Sequence, residues 1–216
     1  MRALAGQQQF ALTELLLCDE VDKIIVKRLR LEGYATWRKN RIKLLAELRR
    51  PEHWGLSRDD LVVRAVPTVS GDSRVLVAGA QVETPTLYLA ANGCDVTAFA
   101  APDAVQRVRD AAEQAGLGER VHASTAALES FTPDAPLTAV IYTPAAFTGL
   151  SAAERARVIQ VLQSATADGG VHLVQTIAAG KRTAVSMDEL RRRYRGWDVT
   201  IDDGTPNSFM ARKGVA

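Results

Sequence analysis

Between Ser73 and Ile177 short β-branched runs alternate with stretches of helical spacing, and no other feature of the chain restricts its fold as much. Arg74–Ala78 is a short β-branched run ending at Gly79, as a strand buried on both faces would be. A helix over Thr84–Asn92 follows and stops at Gly93. Asp95–Phe99 reads as the second strand, and Pro102–Ala115 as a helix with Asp103 in its first turn, where a carboxylate suits the helix dipole. Arg120–Ala123 and Leu137–Tyr142 are the third and fourth strands. Ser151 caps a helix over Ser151–Ala165, and Val171–Ile177 forms a fifth strand after Gly169 and Gly170. Strands joined through helices require right-handed crossovers and a parallel sheet covered on both faces. The tail adds a helix around Met187–Tyr194. Two more strands, Trp197–Ile201 and Ser208–Lys213, pair antiparallel at the sheet edge, with Asp202, Asp203 and Gly204 as their turn. The class is α/β.

The first 50 residues follow a different grammar. Leu12, Leu15, Leu16, Ile24, Ile25, Leu29, Ile42, Leu45 and Leu48 recur at spacings of three and four, which predicts helix over residues 8–50. Gly33 divides it in two, and Pro51 ends the second part. Pro51 to Asp72 reads as a connection with a short extended piece at Leu61–Val66. The expected organisation is a basic helical arm and linker over residues 1–60, then an α/β domain over residues 61–216.

Charge sharpens that division. Lys23 to Arg50 holds ten Lys/Arg against Glu32 and Glu47, a net of +8, whereas residues 67–180 carry a net of −5. The arm has three uses: a solvated helical face, a docking surface for an acidic protein or an anionic membrane, or a contact for phosphates. In the docking use Lys27, Arg30, Arg38, Lys39 and Arg41 supply charge, and Tyr34 and Trp37 anchor. A pI near 8.6 and 6% aromatic residues argue against nucleic acid. Cys18 and Cys94 have no partner at metal-ligand spacing and read as free buried thiols, which fits a reducing compartment. The longest apolar run near the N-terminus, Leu15–Cys18, falls far short of the ~18–20 residues that cross a bilayer. A cytoplasmic protein is expected, with peripheral attachment at the cytoplasmic face of a membrane as the alternative.

Ligands of open α/β sheets sit beyond the carboxyl ends of the strands, so Val75 to Ala90 is where chemistry should be sought. A dinucleotide fold wants G-x-G-x-x-G there. The chain reads Gly79-Ala80-Gln81-Val82-Glu83-Thr84, with the first glycine alone. No G-x-S-x-G elbow and no G-x-x-x-x-G-K-[ST] loop occurs. His53, His122 and His172 are scattered, and the last two fall in strands where a hydrogen-bonded structural histidine is expected.

The run Val75-Leu76-Val77-Ala78-Gly79, followed by Leu87-Tyr88-Leu89-Ala90-Ala91-Asn92-Gly93-Cys94-Asp95-Val96-Thr97-Ala98, resembles the opening of class I S-adenosylmethionine-dependent methyltransferases. It is most similar to their small tellurite-resistance-type branch. Asp168-Gly169-Gly170, Tyr194-Arg195-Gly196-Trp197 and Phe209-Met210-Ala211-Arg212-Lys213 extend the resemblance over about residues 73–213. It implies a Rossmann-like methyltransferase sheet, mostly parallel, with an antiparallel C-terminal edge hairpin and the helical arm in front. It also implies a cofactor cleft, and there the residues depart from the family. Val77 stands where an acid ends the first strand. Gln81 and Glu83 replace glycines, and Phe99-Ala100-Ala101 lacks the acid that grips the ribose hydroxyls. Ser124 or Thr125 stands near the family's adenine-binding Asp, and Thr138 replaces the acid opening the fourth strand.

Losing two charged hydrogen-bond partners costs ~3–6 kcal/mol, or ~10²–10⁴ in affinity. The residues therefore predict a vestigial cleft at Gly79, Gln81, Glu83 and Ala100 and a chain without cofactor. It would act as a non-catalytic accessory subunit that binds protein partners through its arm. The alternative is an active S-adenosylmethionine-dependent methyltransferase on a small soft nucleophile, with Glu83 and Asp103 taking over lost roles. The two readings differ at one place: a cleft left open past Gly79 favours the enzyme, and one filled by Gln81 and Glu83 favours the scaffold.

Overall fold

Among the described residues seven strands share one sheet: β1 (Arg74–Ala78), β2 (Asp95–Phe99), β3 (Val121–Ser124), β4 (Leu137–Tyr142), β5 (Thr166–Ile177), β6 (Asp198–Asp202) and β7 (Asn207–Arg212). The computed structural model describes residues 2–65, 73–177, 185–202 and 207–215. The order is β3-β2-β1-β4-β5-β7-β6. β1 to β5 run parallel; β7 pairs antiparallel with β5 and with β6. The expected tail hairpin is present, but its second strand is the inner one. β7 carries Phe209 and Ala211, both fully buried, and so takes the place beside β5, while the alternately exposed β6 takes the edge. The Asp203-Gly204 turn falls outside the described residues.

Helices follow the same physics. α4 (Glu83–Ala91) buries every residue from Pro85 to Ala91, because the sheet, the next helix and the turn Pro51–Trp54 all pack on it. α5 (Pro102–Gln114) starts with proline at its first position and buries Val105, Val108 and Ala112 on one stripe. α6 (Ala152–Ala165) opens on a reciprocal cap: Glu154 N–H donates to Ser151 Oγ at 3.3 Å, and Ser151 N–H donates to the Glu154 carboxylate at 2.7 Å. α7 (Met187–Arg193) is capped in one direction only: Glu189 N–H donates to Ser186 Oγ at 3.2 Å. The piece Leu61–Ala65, expected to be extended, is a short helix. The Asp60 carboxylate accepts from Val62 N–H at 3.0 Å, and this cap outweighs the β-branched pair Val62-Val63.

Beneath β5 lies a buried polar relay. The Thr166 hydroxyl donates to the Leu162 carbonyl at 2.7 Å, so it accepts from His172 Nε2–H at 2.7 Å. His172 Nδ1 then accepts from the Tyr194 hydroxyl at 2.5 Å, and the Tyr142 hydroxyl, 3.1 Å from that of Tyr194, closes the chain as donor. Burial pushes the His172 imidazole down to about 3, and Lys213 adds to the effect. The expectation of a structural histidine holds for His172. It fails for His122, which is exposed on edge strand β3 and lies 3.0 Å from Asp95.

The chain divides into two compact units, Met1–Glu47 and Leu48–Ala216. The first holds α1 (Arg2–Lys23), a π-helical turn Ile24–Arg28 and α2 (Tyr34–Leu48), whose last residue belongs to the second unit. The break before Tyr34 agrees with the role expected of Gly33. Cys18 is exposed, against expectation, and Cys94 is buried, which pushes its thiol up to about 12. No described helix is long and apolar enough to cross a membrane.

Candidate functional site

Strand order reverses at β1: the chain goes outward to β2 and β3, then returns to the other side as β4. The carboxyl ends of β1 and β4 therefore diverge and leave a crevice between their loops. Gly79 N–H donates to the Phe99 carbonyl at 2.9 Å, and Thr143 N–H to the Ala78 carbonyl at 3.0 Å, so the ends of β1, β2 and β4 are level. Gly79 has φ +113°, and a Cβ there would overlap Thr143 Oγ1, which in turn accepts from Ala80 N–H at 2.9 Å. This position demands glycine for packing as well as for conformation.

The crevice is open. A cleft of about 680 Å³ lies past Gly79, in the range of sites for small organic ligands. Its walls come from the turns after four strands: Gly79 and Gln81 after β1, Ala100 and Ala101 after β2, Ala126 to Glu129 after β3, and Ala145 to Leu150 after β4. Gln81 holds φ +55°, the left-handed conformation that glycine adopts without cost. The turn follows a backbone path that favours glycine although a glutamine stands there, and the Gln81 side chain lines the cleft without closing it. Nine alanines clear the space, while Phe99 and Leu128 give it apolar faces. Arg107, from α5, and Glu129 are the ionisable side chains of the cleft among the described residues.

Of the four residues marked by sequence, Gly79, Gln81 and Ala100 line this cleft. Glu83 does not: it lies in the first turn of α4, 3.5 Å from Arg107, and borders an adjoining cavity. Asp103, proposed to replace a lost acid, is exposed and lines neither space. Arg107 and Glu129 escaped the sequence reading. Only the folding of α5 and of the turn Leu128–Ser130 brings them to the cleft. The docking candidates all lie in the first unit. Tyr34 and Trp37 stack at 5.9 Å between ring centroids, Lys27 is in the π-helical turn, and Arg30 has φ +54°. Arg38, Lys39 and Arg41 are on α2.

No family model and no curated protein matches the chain. Solved structures do. TehB from Haemophilus influenzae superposes with a TM-score of 0.57 at 18% identity, over 70% of this chain and 61% of that one. The glycopeptide N-methyltransferase MtfA complexed with S-adenosylmethionine gives 0.52 at 14%, over 72% and 91%. The [4+2]-cyclase SpnF gives 0.57 at 17%, over 73% and 80%. The chain thus has the Rossmann-like fold of the class I methyltransferases, as its residues led one to expect. The expectation of a chain without cofactor is corrected. MtfA structures that match this fold hold S-adenosylmethionine, S-adenosylhomocysteine or sinefungin, and the cleft proposed to be vestigial is open rather than filled by Gln81 and Glu83.

Proposed function

We propose that the chain binds S-adenosylmethionine in the cleft past Gly79 and transfers its methyl group to a small nucleophile. The observation that carries this reading is the open cleft at the switch point, with Gln81 held in a glycine's conformation. That backbone lets a ligand approach the turn closely even though a side chain is present. The residues fit such a cofactor in kind. Phe99 and Leu128 offer apolar contact for a purine, Glu129 an acceptor for hydroxyl or amino hydrogens, and Arg107 a partner for a carboxylate. The bound cofactor supplies an electrophilic methyl on a sulfonium, which passes to the acceptor's lone pair while the sulfur keeps the electrons of the broken bond.

The chain's own part is positioning, which suffices for a transfer whose main demand is in-line approach. The fold alone does not fix the reaction, since SpnF shares it and is described as a cyclase. Calorimetric titration with S-adenosylmethionine and S-adenosylhomocysteine tests the reading. Binding tighter than ~100 µM, about −5.5 kcal/mol, is expected, and no heat up to millimolar ligand sinks it. The arm's docking on an acidic protein partner through Lys27, Arg30, Tyr34, Trp37, Arg38, Lys39 and Arg41 is a separate proposal. It draws support from the +8 stretch and the Tyr34–Trp37 stack.

A further inference from the structure

Of the fourteen large apolar side chains that stand exposed among the described residues, twelve lie within residues 15–44 of the first unit, each between 42% and 68% exposed. Leu15, Leu16 and Val21 belong to α1, and Tyr34, Trp37 and Ile42 to α2. From residue 13 to residue 47 none is buried. An apolar surface of this extent marks an interaction site. Helices of 22 and 15 residues also draw most of their stability from a covered apolar face, so these two need something packed on them. Within one chain α1 and α2 leave these side chains exposed, and the cover must come from elsewhere.

Charge decides what provides it, because the two helices carry opposite signs. Residues 13–23 hold Glu14, Asp19, Glu20 and Asp22 against Lys23, a net of −3, and this stands although Lys23 bridges Asp19 at 2.7 Å and Glu20 at 3.4 Å. α2 holds Arg38, Lys39, Arg41 and Lys43 against Glu47, a net of +3. An anionic membrane suits α2 but repels the acids beside the leucines of α1. An unrelated acidic protein covers α2 and leaves α1 bare. A second copy of this chain matches both helices: α1 of each copy meets α2 of the other, and a two-fold axis makes the same contact twice. Pairing of α1 with α1, or of α2 with α2, sets like charges side by side. Resting on the docking role proposed for the arm, we infer that its acidic partner is a second copy of this chain, joined by reciprocal α1–α2 pairing that buries the exposed apolar side chains of both.

The test is sedimentation of the full chain at micromolar concentration, beside two charge-reversal variants: Lys39→Glu with Lys43→Glu on α2, and Glu14→Lys with Asp22→Lys on α1. Wild type is expected to sediment as a dimer, at twice 23.4 kDa. Each variant alone should weaken the dimer about 10- to 100-fold, since like charges then meet in both copies of the contact. An equimolar mixture of the two variants should recover it, because the reversed α2 of one meets the reversed α1 of the other. A variant that had failed to fold would not be recovered in this way. The inference is overturned by a monomeric wild type, by a change of less than twofold in either variant, or by a mixture that stays monomeric. A monomeric wild type that floats with phosphatidylserine vesicles overturns it in favour of a membrane. Docking on an unrelated acidic protein is read by co-purification instead, so the two readings of the arm can fail separately.

Discussion

The buried relay at His172 makes stability depend on pH in a way that one substitution removes. The unfolded chain takes up a proton on this imidazole near 6.5, whereas in the folded protein burial holds it down to about 3. Between those values the unfolded state binds one more proton than the folded state, so stability rises with pH at about 1.4 kcal/mol per pH unit. The contribution is complete above 6.5 and is lost as pH falls below it. From pH 7 to pH 5 the loss is about 2 kcal/mol. His172→Gln abolishes this titration while leaving the carboxylates, which supply the rest of the acid sensitivity, in place. Urea unfolding followed by tryptophan fluorescence is a suitable assay, since the Trp197 ring lies 5.0 Å from that of His172 between centroids. Wild type should lose about 2 kcal/mol more than the variant over that interval. A difference that stays flat from pH 7 to pH 5 would refute the reasoning: the imidazole would then be reached by water, or protonated in place, in the folded protein.

Three further outcomes follow from the same geometry. Tyr194→Phe leaves His172 Nδ1 and the Tyr142 hydroxyl without their buried partner and should cost about 2–4 kcal/mol in urea unfolding at pH 7; a loss below about 0.5 kcal/mol would mean that the relay closes without it. Ala100→Asp returns a carboxylate to the end of β2, at a position lining the cleft, and should tighten S-adenosylhomocysteine by about 10- to 100-fold in titration; no gain would place the ribose elsewhere. Deletion of residues 1–47 should leave the second unit folded, with its far-ultraviolet spectrum and cooperative unfolding intact, and should abolish co-purification of arm-dependent partners; unchanged recovery would remove the docking role from the arm.

How the residues announced themselves differed from element to element. The parallel strands were legible because a strand buried on both faces is a short β-branched run whatever its neighbours are. Arg74–Ala78 and Leu137–Tyr142 sit where that rule puts them. The piece at Leu61–Ala65 was not, since a β-branched pair reads as extended until a side chain from outside it, Asp60, caps a helical turn. His122 and His172 look alike in sequence, each inside a short apolar run. One lies exposed on an edge strand and the other is sealed under Tyr194 and Thr166, and only strand order separates them. The hairpin was legible as a hairpin, but its inner and outer strands were set by which one could bury Phe209 and Ala211 against β5.

The cleft shows the same limit more sharply. Sequence by itself determined the α/β class and the crevice at the end of β1, because these depend on local composition and periodicity, and it set Val77, Gln81, Glu83 and Ala100 against the pattern of the methyltransferases that the chain resembles. It could not decide whether those departures fill the crevice. That outcome depends on the backbone angle at Gln81, on where the Glu83 side chain goes, and on the alanines that four separate turns bring together. A side chain's volume is written in the sequence, but the direction in which it points is set by the packing of elements far apart in the chain. Glu83 turns toward Arg107 and Gln81 stands at the wall, so the space remains open, and only the tertiary structure could show it.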